Sequence, residues 1–247
     1  MTHQMTVSPD FAPDAVASWY IFNTWLQKQL DENIHLELFN DFESQRQAIF
    51  NDQIDIIYAN PFDAAVLIRE KGFTALVRPV GKQDEVVVAV SAQNPAACIE
   101  DLAPGLRLAS TDDPDVHLVG MILLEPADIN ADNIERKIVD SYVIVAKQLL
   151  RNEAEVGFFL KEAFDSLSNF TKEQLKVLVE SQISIIHHML LVGPRLADKQ
   201  VQIRDCMLQM ADDPKGQGVL DSLGFTGWEM IEAEDAEFMI DLMDTLG

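Results

Sequence analysis

The sequence predicts an α/β protein of two lobes, each a mostly parallel sheet flanked by helices. Three observations predict it. Before Val80 the apolar residues switch repeatedly between strand and helix spacing, the signature of a parallel sheet covered by helices. The run EVVVAV at 85–90 is the strongest strand signal, and its β-branched density suits burial on both faces. The apolar stretch ISIIHHMLLV, ending at Val192, is too long for one average strand and predicts a strand leaving one lobe and returning to the other. The lobes are then 1–80 plus 189–247, and 85–186, with crossings near 81–85 and 183–188.

The elements follow in order. Residues 5–7 form a short strand, and Ser8-Pro9-Asp10-Phe11-Ala12-Pro13 is a loop of turn residues. Ala15, Val16, Trp19, Phe22, Leu26 and Leu30 mark one face of a helix. A strand at 35–39 and a helix at 42–50 come next, with Asp41 or Ser44 near the helix start. At 54–59 an apolar run reads as a buried strand, closed by Asn60-Pro61, because proline donates no backbone hydrogen bond and suits the first turn of a helix. The helix runs to Lys71, where Gly72 fits its C-terminal cap. A strand at 73–80 completes the first series.

Beyond the 85–90 strand lie a helical turn at 99–102 and a strand at 106–109. Ser110-Thr111-Asp112-Asp113 then reads equally as the cap of a helix at 116–124 and as a ligand-facing turn. Residues 134–139 read as a strand or a helix start. A helical stripe follows at Tyr142–Leu150, then a strand at 155–159 and helices at 159–167 and 172–179. The tail, from Lys199, reads as helical and acidic, with Trp228 between helices.

Composition limits the function classes. A formal charge of −23 over 247 residues argues against nucleic acid, which needs a basic face, and against anionic membranes. No apolar run is long enough to insert in a membrane. Cys98 and Cys206 have no metal-ligand spacing and read as free thiols. Adjacent strand residues point to opposite faces, so His187-His188 does not chelate one ion, and no metal is expected. No P-loop, dinucleotide fingerprint or nucleophile elbow is present, so neither cofactor nor enzyme chemistry is expected. As given, the chain shows no secretory leader, which points to the cytoplasm; a leader removed from upstream of Met1 would make the protein periplasmic.

In sheets of this kind ligands bind beyond the carboxyl ends of the strands. Several local features there resemble the phosphonate-type solute-binding proteins of ABC transporters, within the periplasmic-binding-protein superfamily. They are the first-strand loop before the helix bearing Trp19, the strand 54–61 of type D-hydrophobic-x-x-x-x-P, the strand 106–109 entering a Ser/Thr turn, and the ending with Gly216-Gln217-Gly218-Val219-Leu220 and Leu223-Gly224-Phe225. The resemblance implies a type II fold, a small-molecule ligand held between lobes, and an ABC permease as partner. It implies ligand contacts at Asp10, Phe11, Tyr58, Asn60, Pro61, Phe62, Asp84, Ser110, Thr111, Asp112 and His117. The alternative is a cytosolic regulatory or protein-interaction module keeping the same fold. Where the family carries an aromatic residue at the crossing, this chain has Gln83-Asp84-Glu85, and its Ser-Thr turn continues as Asp112-Asp113. With Asp10 these carboxylates predict weak binding of phosphate and simple phosphonates, and favour a neutral, zwitterionic or cationic solute.

Overall fold

β1 (Thr2–Val7), α1 (Val16–Leu30), β2 (Asn33–Leu36), α2 (Phe42–Phe50), β3 (Ile56–Ala59), α3 (Pro61–Lys71) and β4 (Thr74–Pro79) open the chain in strict alternation. The computed structural model describes residues 2–11, 15–184 and 186–246. Ala12 and Pro13 of the first loop and Ile185 of the returning stretch lie outside the described residues. The chain divides into two compact units, one holding residues up to Lys82 and from His187 to Asp244, the other Gln83–Ile186.

Local chemistry sets the helix ends in the first unit. Asp41 caps α2 by accepting from Ser44 N–H. Asn60 caps α3, Pro61 opens it, and Gly72 closes it at φ 68°, a conformation that favours glycine. The sheet has the order β11-β4-β10-β3-β1-β2, where β10 is Met189–Val192 and β11 is Trp228–Met230. β1, β2, β3 and β4 point one way; β10 enters antiparallel between β3 and β4, and β11 is antiparallel to β4. Both faces are covered, which explains the continuous apolar runs. Tyr58, Ile56, Leu190 and Val192 face Trp19, Phe22 and Leu26 of α1. Ile57, Ala59, Met189 and Leu191 face Ala64, Leu67 and Met239, the last from α10 (Ala233–Leu246).

The second unit carries β5 (Val86–Ser91), β6 (Arg107–Ser110), α4 (Pro114–Leu124), β7 (Glu135–Ile138), α5 (Tyr142–Leu150), β8 (Val156–Leu160), α6 (Lys161–Ser166), α7 (Asn169–Lys172) and β9 (Leu175–Glu180). Its sheet order is β7-β6-β8-β5-β9, with only β5 opposed to the other strands. Val87, Ala89, Val145, Leu149 and Phe159 form part of its core. No helix among the described residues is long and apolar enough to cross a membrane.

Three elements depart from the sequence reading. The expected helix at 172–179 is one turn of α7 followed by β9, because pairing with β5 and the β-branched Val177 and Val179 outweigh a helical stripe. The long returning strand shrinks to Met189–Val192; Ser184 at φ 62° breaks any extended run before it. Trp228, which the sequence reading assigns to no element, begins a strand, since it pairs with Pro79 at the open edge of β4.

Because Leu191 is fully buried between β3 and β4, Leu191→Ala is expected to cost about 2–5 kcal/mol of stability. Denaturant unfolding measures it, and a loss below about 1 kcal/mol would contradict the role of β10 as a central strand.

Candidate functional site

Strands pointing one way deliver their following loops to one edge of the sheet. In the first unit that edge carries the loop after β1, the joint after β3, and the start of β10. Being antiparallel, β10 starts where β3 ends, with Met189 opposite Ala59. This brings His188 to the expected site. Its Nε2 lies 2.9 Å from Asp10 Oδ2, and its ring stacks on Tyr58 with centroids 5.2 Å apart. Burial pushes the Asp10 carboxyl up, but the His188 charge and hydrogen bonds from His188 and Ser8 outweigh it and hold Asp10 below the usual carboxylate range. Tyr58 also packs 4.9 Å from Trp19, so most of its ring belongs to the core. Phe11 packs against the same core.

The β3–α3 joint is filled from within. The buried Asn60 amide donates to Ser8 Oγ at 3.0 Å and Asp63 Oδ2 at 2.8 Å, and its Oδ1 accepts from Asp63 N–H. Arg46 Nε donates to Asp63 Oδ1 at 2.6 Å, with its guanidinium 5.0 Å from the Phe62 ring centroid. A helix start favours negative charge, and here Asp63 supplies it. Pro61 is buried in the same turn. The joint is linked to Asp10 through Ser8, which bonds both Asn60 and Asp10.

In the second unit β6 ends at Ser110, beside β7. Asp113 caps α4 by accepting from Asp115 and Val116 N–H, and its other oxygen accepts from the Tyr142 hydroxyl at 2.9 Å. Arg136 of β7 donates from Nε to Ser110 Oγ at 2.8 Å and from Nη2 to the Thr111 carbonyl at 3.0 Å. Asp112 is exposed. His117, in the first turn of α4, packs near Phe158; burial and the neighbouring Arg136 push its pKa down to about 4.

The crossing residues bond within the second unit. Asp84 N–H donates to the Ile186 carbonyl at 2.9 Å. Glu85 is buried. It accepts from Ser181 Oγ and from the backbone N–H groups of Ile183 and Ser184, and so ties the second unit's two exits together.

The structure thus gathers Asp10, Tyr58 and Asn60 in one unit, and Ser110, Thr111, Asp112 and His117 in the other. Sequence reasoning missed His188 and Arg136 as their partners. The signal for Arg136 was a basic residue placed one strand over from the Ser-Thr turn, hidden while 134–139 stayed ambiguous. Among the described residues no group of three or more His, Cys, Asp or Glu side chains is placed to hold a metal ion.

Residues 5–236 match the family described as ABC transporter, phosphonate, periplasmic substrate-binding protein. The sequence matches no curated protein. Among solved structures, PhnD1 of Prochlorococcus marinus in complex with methylphosphonate is 13% identical, with a TM-score of 0.83 over 99% of this chain and 98% of that one. A Xanthomonas citri protein bound to chloride ion is 14% identical, with a TM-score of 0.81 over 99% and 98% of the two chains. The binding protein component of a Pseudomonas aeruginosa ABC phosphonate transporter is 16% identical, with a TM-score of 0.76 over 98% and 87%. These likenesses show a type II periplasmic-binding fold.

The depressed His117 pKa has a stability consequence. Between its ordinary 6.5 and about 4 the unfolded chain takes up a proton that the folded site refuses. This contribution is present in full above the ordinary value and lost as pH falls toward about 4. Thermal melts across that window are expected to decline more steeply for wild type than for His117→Asn; parallel declines would contradict it.

Proposed function

Because the chain belongs to the phosphonate-type periplasmic substrate-binding proteins of ABC transporters, we propose that it captures a small solute bearing one oxyanion group and delivers it to an ABC permease. The family is a substrate-binding component of a transporter, which supports reading this chain as a binder and not as an enzyme. The finer reading, an oxyanion, rests on the fate of the carboxylates. Asp10 is answered by His188, Asp113 by the α4 amides and Tyr142, and Glu85 by the crossing. The repulsion that the sequence predicts against an anion is then relieved at Asp10, Asp113 and Glu85, and Arg136 lies near Asp112 to offset its charge. A phosphonate or sulfonate that is otherwise neutral or zwitterionic suits this balance. As in its family, the protein would meet that solute in the periplasm.

Thermal-shift measurements followed by calorimetry test the reading with methylphosphonate, 2-aminoethylphosphonate, phosphate, methanesulfonate, choline and glycerol. At least one oxyanion is expected to raise the melting temperature and bind saturably. Binding of only choline or glycerol would overturn the oxyanion assignment, and stabilisation by no solute, in a wider metabolite set as well, would overturn solute capture.

A further inference from the structure

Asp10 and His188 form a buried pair at the edge of the first unit where the parallel strands deliver their loops. The two side chains are 5% and 12% exposed, so water screens little of their attraction. The carboxylate is pinned. Ser8 hydrogen-bonds it, and Ser8 Oγ in turn accepts from the buried Asn60 amide at 3.0 Å. Two other buried carboxylates of this unit have counter-charges that pH does not remove: Asp55 has Arg195 and Asp63 has Arg46. The counter-charge of Asp10 is instead an imidazole, whose charge changes within the physiological range.

The geometry lets that charge change without breaking the contact. Nε2 is the ring nitrogen on Asp10, 2.9 Å from Oδ2. A protonated ring donates from Nε2. A neutral ring in its Nε2–H tautomer donates the same bond, having lost only the Nδ1 proton. Stacking on Tyr58, with 26° between the ring planes, holds the imidazole in either state, and the phenol face favours the cation. Losing the proton thus takes the pair from net neutral to −1 while Ser8 keeps the carboxylate in place. His187, next in the chain, places its Nδ1 3.3 Å from the His188 carbonyl. Charges on the elements beside β10 are matched elsewhere, Asp63 by Arg46 and Arg78 by Glu229.

We propose that His188 makes solute capture proton-linked: protonated, it cancels Asp10 and the first unit accepts an anion; neutral, it leaves Asp10 to repel one. This rests on the oxyanion reading above and adds its regulation. Oxyanion affinity is then highest at acidic pH and falls as pH rises through the His188 titration. By linkage, binding takes up a proton in that window. A cationic solute shows the opposite trend, because the uncovered carboxylate attracts it.

Calorimetry with methanesulfonate and methylphosphonate from about pH 5 to about pH 9, on wild type, His188→Gln and Asp10→Asn, tests the proposal. Methanesulfonate keeps its charge throughout. Methylphosphonate titrates, but equally for every variant, so the ratio of wild type to His188→Gln removes its contribution. Across the range that ratio of affinities is expected to fall at least about fivefold for the oxyanion bound. His188→Gln should bind weakly at every pH, since nothing then cancels Asp10. Asp10→Asn should move the fall to lower pH, because the ring has lost its carboxylate. Melting curves check the fold of each variant; should His188→Gln not fold, Asp10→Asn read against wild type decides. Parallel profiles for wild type and His188→Gln overturn the linkage and leave solute capture standing, as does a fall that Asp10→Asn does not move. A wild type that binds neither oxyanion at any pH overturns both the linkage and the oxyanion reading.

Discussion

The antiparallel entry of β10 between β3 and β4 is the interaction on which the first unit depends. Its four residues are fully buried, with alternate side chains feeding the two cores on either face of the sheet. Without it β3 and β4 would present unpaired edges, and neither has another partner at that position. Because it runs against its neighbours, it also begins at their carboxyl ends. That places His188 on Tyr58 and Asp10 by geometry alone. The pairing joins distant parts of the chain, so the ordering cost of closing the whole second unit comes before the sheet is complete.

A chain this acidic must answer each buried carboxylate, and it does so in several ways. Asp55 takes Arg195 Nε and the Gln4 amide. Asp63 takes Arg46 and Asn60. Glu85 is held by a hydroxyl and two backbone amides, with no cation partner among the described residues. Asp10 has a histidine, a partner whose charge follows pH. Arg136 reverses this pattern: among the described residues its bonds go to a hydroxyl and a carbonyl, not to a carboxylate. The acidic surplus is thus cancelled locally, residue by residue, at the candidate site.

Much of this was legible in the sequence. The βα alternation before Val80, the Asn60-Pro61 joint, the Gly72 cap and the Ser110 turn all rest on local chemistry, and local chemistry is what a sequence shows. The features it concealed depend on partners far along the chain. β9 has helical spacing in its apolar residues and becomes a strand only because β5 offers an edge. Glu85 reads as a carboxylate near the ligand, and its bonds to Ser181 and Ser184 come from the other exit. His188 and Arg136 carry no motif; each matters through one neighbour, Asp10 or Ser110, that spacing cannot reveal.

The central claim is that solute is held by the loops at the carboxyl ends of the parallel strands in each unit. Hydrogen exchange of the protein with and without its tightest-binding oxyanion tests this most directly. The account predicts slowed exchange in peptides covering 8–11, 58–62, 110–117 and 187–189, with α1 and α9 (Pro214–Leu223) unchanged. Slowing confined to the opposite ends of the strands, around 31–34 and 52–55, would contradict it.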